Sequence, residues 1–447
     1  MAESPRLTGS PCPTGSRPPG VEAARAAWLT ACTAAGCANL LPAETIGIGD
    51  AIGRLTATPV WARWSVPADP VAAMDGIAIR ALDAIPDPAD PPVSLVLAPD
   101  RYDVVDTGDL LPAGRDTVVM REQVANHRDE TVEIPASACA PGTHVRQVGE
   151  DVRVGELLLP AHHRLRPVDV ALVASTGHTT IDVHTRPAVA IIPTGDEIRP
   201  IGTDLAPGEI LDTNSLLLAG ILRENGCEVR VLPIEPDRAE RIANAARAAA
   251  RTAELVLIIA GSSAGRDDHT ADVLRTLGEV VVHGVAVKPG HPVVLAVLRG
   301  DRAVPVIGVP GYPVSAALTV ELFALPLLAG LHARPAPRRP TIPAHVAVHV
   351  EPEEIDRYLL VTLRESDRAT VPTTELSRRG AGALSALARA DGLLHLAAGD
   401  GLRAGDLVTV GLMRGARERA PRPGRARTDV DPGFVTDPGE QAATTAV

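Results

Sequence analysis

Lysine is nearly absent from this chain. Lysine and arginine together number 43, and only Lys288 is lysine. Arginine is planar and forked, whereas lysine is a compact charge on a thin stem. A position that keeps lysine in such a background implies a sterically tight site that needs a cation. Aromatic residues are scarce too, at 2%, so the cores must be built from Val, Leu, Ile and Ala. The five cysteines (Cys12, Cys32, Cys37, Cys139 and Cys227) are odd in number and form no CxxC pair. That argues against a disulfide framework or a thiolate metal site and reads as reduced thiols in a cytoplasmic protein. There is no excess of positive charge: the formal net charge is -12, which leaves no basic face for nucleic acid. An anionic ligand would need locally focused positive potential instead. No apolar run approaches the length of a bilayer span, and residues 1–20 hold no apolar leader core. Neither a membrane partner nor secretion is therefore expected.

The length, 447 residues, suits two to four domains. Forty-one prolines and 39 glycines punctuate the chain into short elements. Residues 1–20 and 415–447 read as disordered tails. Residues 21–38 read as a helix with Trp28 on its apolar face, and a short helix is expected over Asp50–Ala57. Segments 21–60 and 149–186, the second with a helix over Pro167–Ser175, form a helical/mixed domain around a small β domain at 61–148. From 187 to 332 strands alternate with helices, which predicts an α/β domain with a largely parallel sheet. A Pro/Arg-rich linker leads to a second small β domain at 341–412. The fold class is thus multidomain α/β.

Two constellations carry chemistry. In the α/β domain, the strand ELVLIIA runs into GSSAGRDDHT, where Gly261, Ser262, Ser263 and Gly265 precede a helix. Free backbone N–H groups and a helix start make an anion cradle. Asp268 at that helix start is equally an N-cap. Lys288 follows in the turn KPGH with Gly290 and His291, and the run GVPGYPVS repeats the strand–loop–helix device with Gly311 and Ser315. Such features gather at the carboxyl ends of strands in α/β sheets. On residues alone, the ligand is a phosphorylated or otherwise anionic small molecule. The second constellation is acidic: Asp196 and Glu197 in TGDEI, Asp75 in AMDG, Asp109 beside Thr107 in TGDLLP, and Glu150 and Asp151 in GED. Each alone is most often a turn residue, and together they would suit Mg²⁺.

In order, AMDG, TGDLLP, GED, TGDEI, GSSAGRDDHT, KPGH and GVPGYPVSA resemble the signature series of the MoeA/gephyrin family, in a divergent branch, and SRRGAGALSALARADGLLHL resembles its carboxyl-terminal β-domain motif. The resemblance implies molybdenum cofactor biosynthesis: a molybdopterin molybdenumtransferase that inserts molybdate into adenylated molybdopterin, releases AMP and uses Mg²⁺. It also implies an elongated homodimer that assembles through the helical/mixed domain, with a molybdopterin adenylyltransferase and molybdoenzyme chaperones as expected partners. By the same resemblance Lys288 is the molybdate-site lysine. Asp75, Thr107, Asp151, Glu197 and Asp268 take catalytic positions, with Glu197 and Asp268 at the metal. The loop 261–265 and the residues Gly290, His291, Gly311 and Ser315 bind substrate. The chain departs from the family pattern at Ala260, Arg266, His291 and Tyr312. Rival readings are a non-catalytic molybdopterin-binding scaffold, a tungstate-selective insertase and the adenylyltransferase that acts one step earlier. Retention of Lys288 with the acids argues against the scaffold, and the four-domain length argues against the adenylyltransferase.

Overall fold

A computed structural model of the chain describes residues 17–84, 94–126, 130–260, 270–366, 369–376, 380 and 382–413. Most of the tail read at 1–20, and all of that at 415–447, lie outside the described residues. The chain divides into two compact units, residues 1–338 with 381–384 and residues 339–380 with 385–447.

The α/β part of the first unit is built on six strands: β1 (Ala188–Pro193), β2 (Glu228–Val231), β3 (Leu255–Ala260), β4 (Gly278–His283), β5 (Val294–Leu298) and β6 (Val304–Pro310). They lie side by side in the order β2-β1-β3-β6-β5-β4. The pairs β1/β2, β1/β3 and β3/β6 are parallel, and β6/β5 and β5/β4 are antiparallel. The connections explain the split. Helices Thr213–Glu224 and Ala239–Ala250 carry the chain back between parallel strands, while β4, β5 and β6 are joined by helix-free connections, too short for the dozen-residue crossover a parallel pair needs. Every residue of β5 and β6 is buried, as expected of apolar runs covered on both faces.

The first helix, Val21–Ala34, supplies part of that cover. Trp28 on it is fully buried, and its indole N–H donates to the Ala296 carbonyl on β5 at 2.9 Å. The adjoining mixed region pairs Ala43–Gly47 with Thr180–His184 and Val60–Trp61 with Leu157–Leu159, around a core of Val60, Leu159, Leu165, Val173 and Val183. Helix Pro167–Ser175 forms as read. The helix expected over Asp50–Ala57 does not. A single short turn spans Ile48–Asp50, Gly53 takes φ +77°, and Leu55 and Thr56 bridge to Arg164 and Val183. Thr56 there accepts from the His163 amide and donates to the Pro160 carbonyl, a local competition with helix that its hydroxyl makes possible.

Between these segments lie two small antiparallel sheets. In one, Gly76–Ile79 runs between Tyr102–Val105 and Thr117–Met120; the other holds Ser94–Leu97, Val132–Pro135 and Ala125–Asn126. They share a core of Ile77, Ile79, Leu97, Val119, Val132 and Ile134. The second unit is a ring of five strands, 356–366, 369–376, 341–346, 407–412 and 392–396, the last pairing back to the first, around Ala344, Val361, Leu394 and Val410.

Among the described residues one helix is more apolar than the expectation of no span-length apolar run allowed. The helical stretch Pro313–Gly330 is 18 residues long with mean hydropathy 1.6, and 61% of it is buried. It follows β6 and lends Val314, Ala316, Leu318, Val320, Phe323 and Leu327 to the core, so its apolarity is that of an interior helix.

Asp169 pins the helix Pro167–Ser175. It is 3% exposed, accepts from the Arg166 amide and guanidinium at 2.8 Å, and meets His163 Nε2 at 2.9 Å. Hydrogen bonding from Arg166 holds its carboxyl well below the usual carboxylate range, against the opposing effect of burial. A depressed carboxyl contributes stability that is present above the unfolded value near 3.9 and is lost as pH falls below it. We therefore expect Asp169→Asn to lower stability by about 1–3 kcal/mol at neutral pH. The deficit should shrink as unfolding is measured at successively lower pH below about 4; a deficit independent of pH would contradict the assignment.

Candidate active site

Strand register places several turns on one edge of the α/β sheet. Pro193 of β1 lies beside Ile259 of β3, Ala260 beside Pro310 of β6, Gly308 beside Val294 of β5, and Val294 beside His283 of β4. The TGDE turn, the Gly311–Ser315 turn and the KPGH turn therefore share the carboxyl edge of the parallel strands, where ligands bind in such sheets. The loop that follows β3, with Gly261, Ser262, Ser263, Gly265 and Asp268, lies outside the described residues.

A cavity of about 430 Å³ opens on this edge, lined among others by Thr194, Glu197, Asp212, Asn214, Gly311 and Tyr312. That volume is in the range of small-molecule sites, roughly 300–1,000 Å³. Asn214 donates to the Gly311 carbonyl at 2.6 Å, and its own Oδ1 is buried with no hydrogen-bond partner among the described residues. Buried polar atoms are nearly always satisfied, so this oxygen suits a ligand donor. Ser315 is buried at the first turn of Pro313–Gly330, whereas Tyr312 is exposed.

Acids cluster at the end of β1. Thr194 is held by two bonds to the Ile259 carbonyl, from its amide at 2.9 Å and its hydroxyl at 3.0 Å. Gly195 takes φ +146°, and a Cβ there would meet Glu197 Oε2 at 3.0 Å and Ile198 Cγ1 at 2.4 Å. Only glycine lets the turn fold Glu197 back in this way. The sequence reading missed a third acid, Asp237, whose amide points at Asp196 Oδ1 at 3.4 Å. Burial pushes the Asp237 carboxyl up, and the charges of Glu197 and Asp196 push it further. Its only sequence signal is a position just beyond β2, the neighbour of β1 at the same edge.

The KPGH turn is locked by its neighbours. Lys288 is exposed, while Gly290 is buried at φ +111° with its Cα face against Val287, Thr319 and the Ser315 carbonyl. The turn thus packs on the first turns of Pro313–Gly330. His291 Nδ1 donates to the Val285 carbonyl at 2.7 Å, which orients the ring. With strands about 4.8 Å apart, the KPGH turn at β5 and Glu197 at β1 are separated by roughly 14 Å of sheet edge at the backbone. A ligand that meets both must be extended.

The remaining predicted residues form a separate group on the small β sheets. Asp75 Oδ1 accepts from both the amide and the hydroxyl of Thr107, at 2.7 and 2.8 Å, and Arg121 stands 4.0 Å from Oδ2. The Thr107 amide, then its hydroxyl, hold the Asp75 carboxyl below its usual range. Gly76 has no alternative: a Cβ there would lie 2.0 Å from the Val119 carbonyl oxygen. Asp109 accepts from the Asp106 amide at 2.8 Å and closes the TGD turn. Glu150 pairs with Arg146 at 3.2 Å, and Asp151 is exposed. No recorded hydrogen bond or ion pair among the described residues joins this group to Glu197.

The crowding at β1 has a measurable consequence. In Glu197→Gln, the Asp237 carboxyl should titrate lower than in the wild type, because a like charge is gone, yet above a free aspartate, because burial is the larger cause. Carbon-13 carboxyl titration by NMR reads this directly; an unmoved Asp237 would mean the two do not interact.

The chain matches three family models in succession: MoeA N-terminal region (domain I and II) over residues 20–177, probable molybdopterin binding domain over 190–330, and MoeA C-terminal region (domain IV) over 344–413. It is 32% identical over 316 residues to the molybdopterin molybdenumtransferase of Haemophilus influenzae, covering 66% of this chain and 75% of that one. It is 30% identical over 300 residues to that of Nostoc sp., covering 64% and 68%. Among solved structures, the molybdopterin biosynthesis MoeA protein from Pyrococcus horikoshii superposes with a TM-score of 0.73 at 28% identity, covering 89% of this chain and all of that one. With these matches spanning all three regions of the chain, the protein belongs to the MoeA family of molybdopterin molybdenumtransferases.

Proposed function

We propose that this protein is a cytoplasmic molybdopterin molybdenumtransferase, which inserts molybdate into adenylated molybdopterin with release of AMP. The observation that carries the reading is the sole lysine, exposed in a turn fixed against helix Pro313–Gly330 at the ligand edge of the sheet. Molybdate, the pterin dithiolene and the departing AMP are all anions. They must meet on a chain whose net charge is -12. A cation at about 4 Å contributes on the order of 4 kcal/mol at an effective dielectric near 20. Lys288 supplies that charge to the oxyanion, while the open N–H groups of the Gly311–Ser315 turn and the Asn214 amide orient the substrate.

Mg²⁺ fits the acids at the end of β1. The charge of Glu197 raises the electrostatic cost of ionising Asp237, and a divalent cation held by two carboxylates relieves it. When bound, the ion neutralises phosphoryl oxygens during release of AMP. Magnesium takes few protein carboxylates and keeps waters and substrate oxygens as its other ligands. Asp268 is the further acid proposed for it. Asp75, held ionised by Thr107, and Asp151 are proposed to act on the substrate from the small β sheets, and the assembly is proposed to be a homodimer.

Purified protein mixed with adenylated molybdopterin, Mg²⁺ and molybdate should release AMP and yield active cofactor. Lys288→Ala should slow AMP release by about two to three orders of magnitude, and Lys288→Arg should not restore it, with folding unchanged by circular dichroism. Full turnover by the arginine variant would remove the steric argument, and binding of the adenylated pterin without any AMP release by the wild type would favour the scaffold. Light scattering should return twice the mass of one chain; a monomer would count against the homodimer.

A further inference from the structure

On the opposite edge of the same sheet lies a small cavity with an unusual lining. It is bounded by residues around Pro187, which precedes β1, by Asn225 and Gly226, which precede β2, and by the carboxyl-terminal part of Pro313–Gly330 and the segment beyond it. Strand β1 is six residues long, so the ligand edge is about 20 Å away. Arg54, Arg164, Arg186, Arg334, His184 and His332 line the cavity, and no carboxylate does. In a chain of net charge -12, so local an excess of cations runs against the surrounding field.

The bonds within the cluster leave much of this charge unanswered. Arg54 is buried, pairs with Glu44 and gives a second bond to the His184 carbonyl at 2.8 Å. Among the described residues the Arg164 guanidinium donates to the Glu224 carbonyl at 3.3 Å and meets no carboxylate. Among the described residues Arg186 and Arg334 have no carboxylate partner. His184 donates from Nδ1 to the Leu41 carbonyl at 2.9 Å, so its Nε2 accepts from His162, whose ring stacks on it at 5.1 Å. His332, 7% exposed, donates from Nε2 to the Thr185 carbonyl at 3.1 Å. Burial pulls the His332 imidazole down, and the charges of His184, Arg334 and Arg54 add to that. The cavity measures about 130 Å³, well under the roughly 300 Å³ at which drug-sized ligands are accommodated. Guanidinium groups bind tetrahedral oxyanions through paired N–H donors.

We propose that this Arg/His cavity binds one small tetrahedral oxyanion, of the phosphate and molybdate type, at a site distinct from the ligand edge of the sheet. The size excludes a pterin or a nucleoside within the cavity, though the phosphoryl end of a longer ligand shares the same chemistry. The competing explanation is structural: helices Thr213–Glu224 and Pro313–Gly330 both end here, and cations stabilise helix carboxyl termini.

The test is equilibrium dialysis of the full chain against radiolabelled orthophosphate. In a Lys288→Ala background, which removes the oxyanion lysine of the far edge, the chain should still bind one phosphate saturably. Arg186→Ala combined with Arg334→Ala should weaken that binding at least tenfold. Both arginines are exposed, so the fold should tolerate their loss, and Arg186→Lys with Arg334→Lys should retain part of the affinity. Competition then separates the sources: displacement by molybdate alone marks a free oxyanion, and equal displacement by AMP marks a phosphoryl terminus. An absence of saturable phosphate binding in the wild type, or binding unchanged in the double alanine variant, overturns the proposal and leaves the cations as helix-end stabilisers only.

Discussion

Strands β3, β5 and β6 are buried along nearly their whole length, and the chemistry at their ends depends on that. A strand covered on both faces cannot slip by one residue, because a slip would send every side chain to the wrong layer. Register is therefore rigid, and with it the level at which each strand ends. The TGDE, Gly311–Ser315 and KPGH turns come from segments more than a hundred residues apart in the extreme, yet the paired ends of β1, β3, β6 and β5 deliver them to one line. Backbone glycines then do what side chains could not: Gly195 and Gly290 take positive φ where the chain must double back beside a neighbour.

What the sequence made legible was what repeats or stands alone. Strand–helix alternation marked the α/β domain, in which helices Thr213–Glu224 and Ala239–Ala250 alternate with strands, and helix Pro167–Ser175 forms where it was expected. The lone lysine marked its turn without help from any neighbour. AMDG and TGD could be singled out as motifs, but that Asp75 and Thr107 bond to one another across 32 positions is a fact of pairing between strands. Other features had no sequence signal strong enough to find. The false helix at 50–57 had suitable composition, and tertiary bridges from Leu55 and Thr56 outweighed it. Asp237 looks like a turn residue until β2 is known to lie beside β1. The Arg/His cavity gathers residues from five separate stretches with no common spacing, and in an arginine-rich chain no one of them stands out.

Electrostatics divides the α/β domain into two ends of different character. At the carboxyl edge, acids gather at one end of a line of turns and the lysine stands toward the other, an arrangement suited to an extended anionic ligand. At the amino edge, cations crowd together with backbone carbonyls as their main partners. The overall acidity of the chain sharpens both, since a local positive potential in a negative field attracts small anions and repels little else.

The helix that joins these edges is not uniform. Pro313–Gly330 changes from α to π geometry over Val320–Ala324 and back again. A π-turn amounts to one residue more than the α pattern needs, and each α-helical residue turns the chain by about 100°. The two halves are thereby decoupled in angle: the half that carries Ser315 faces the KPGH turn, and the half that leads to His332 faces the opposite edge, each in the phase its own packing demands. Were the helix α throughout, seating one half would rotate the other out of its groove. The extra residue acts as a phase adjuster, letting a single rod serve two fixed surfaces that a regular helix could not satisfy together.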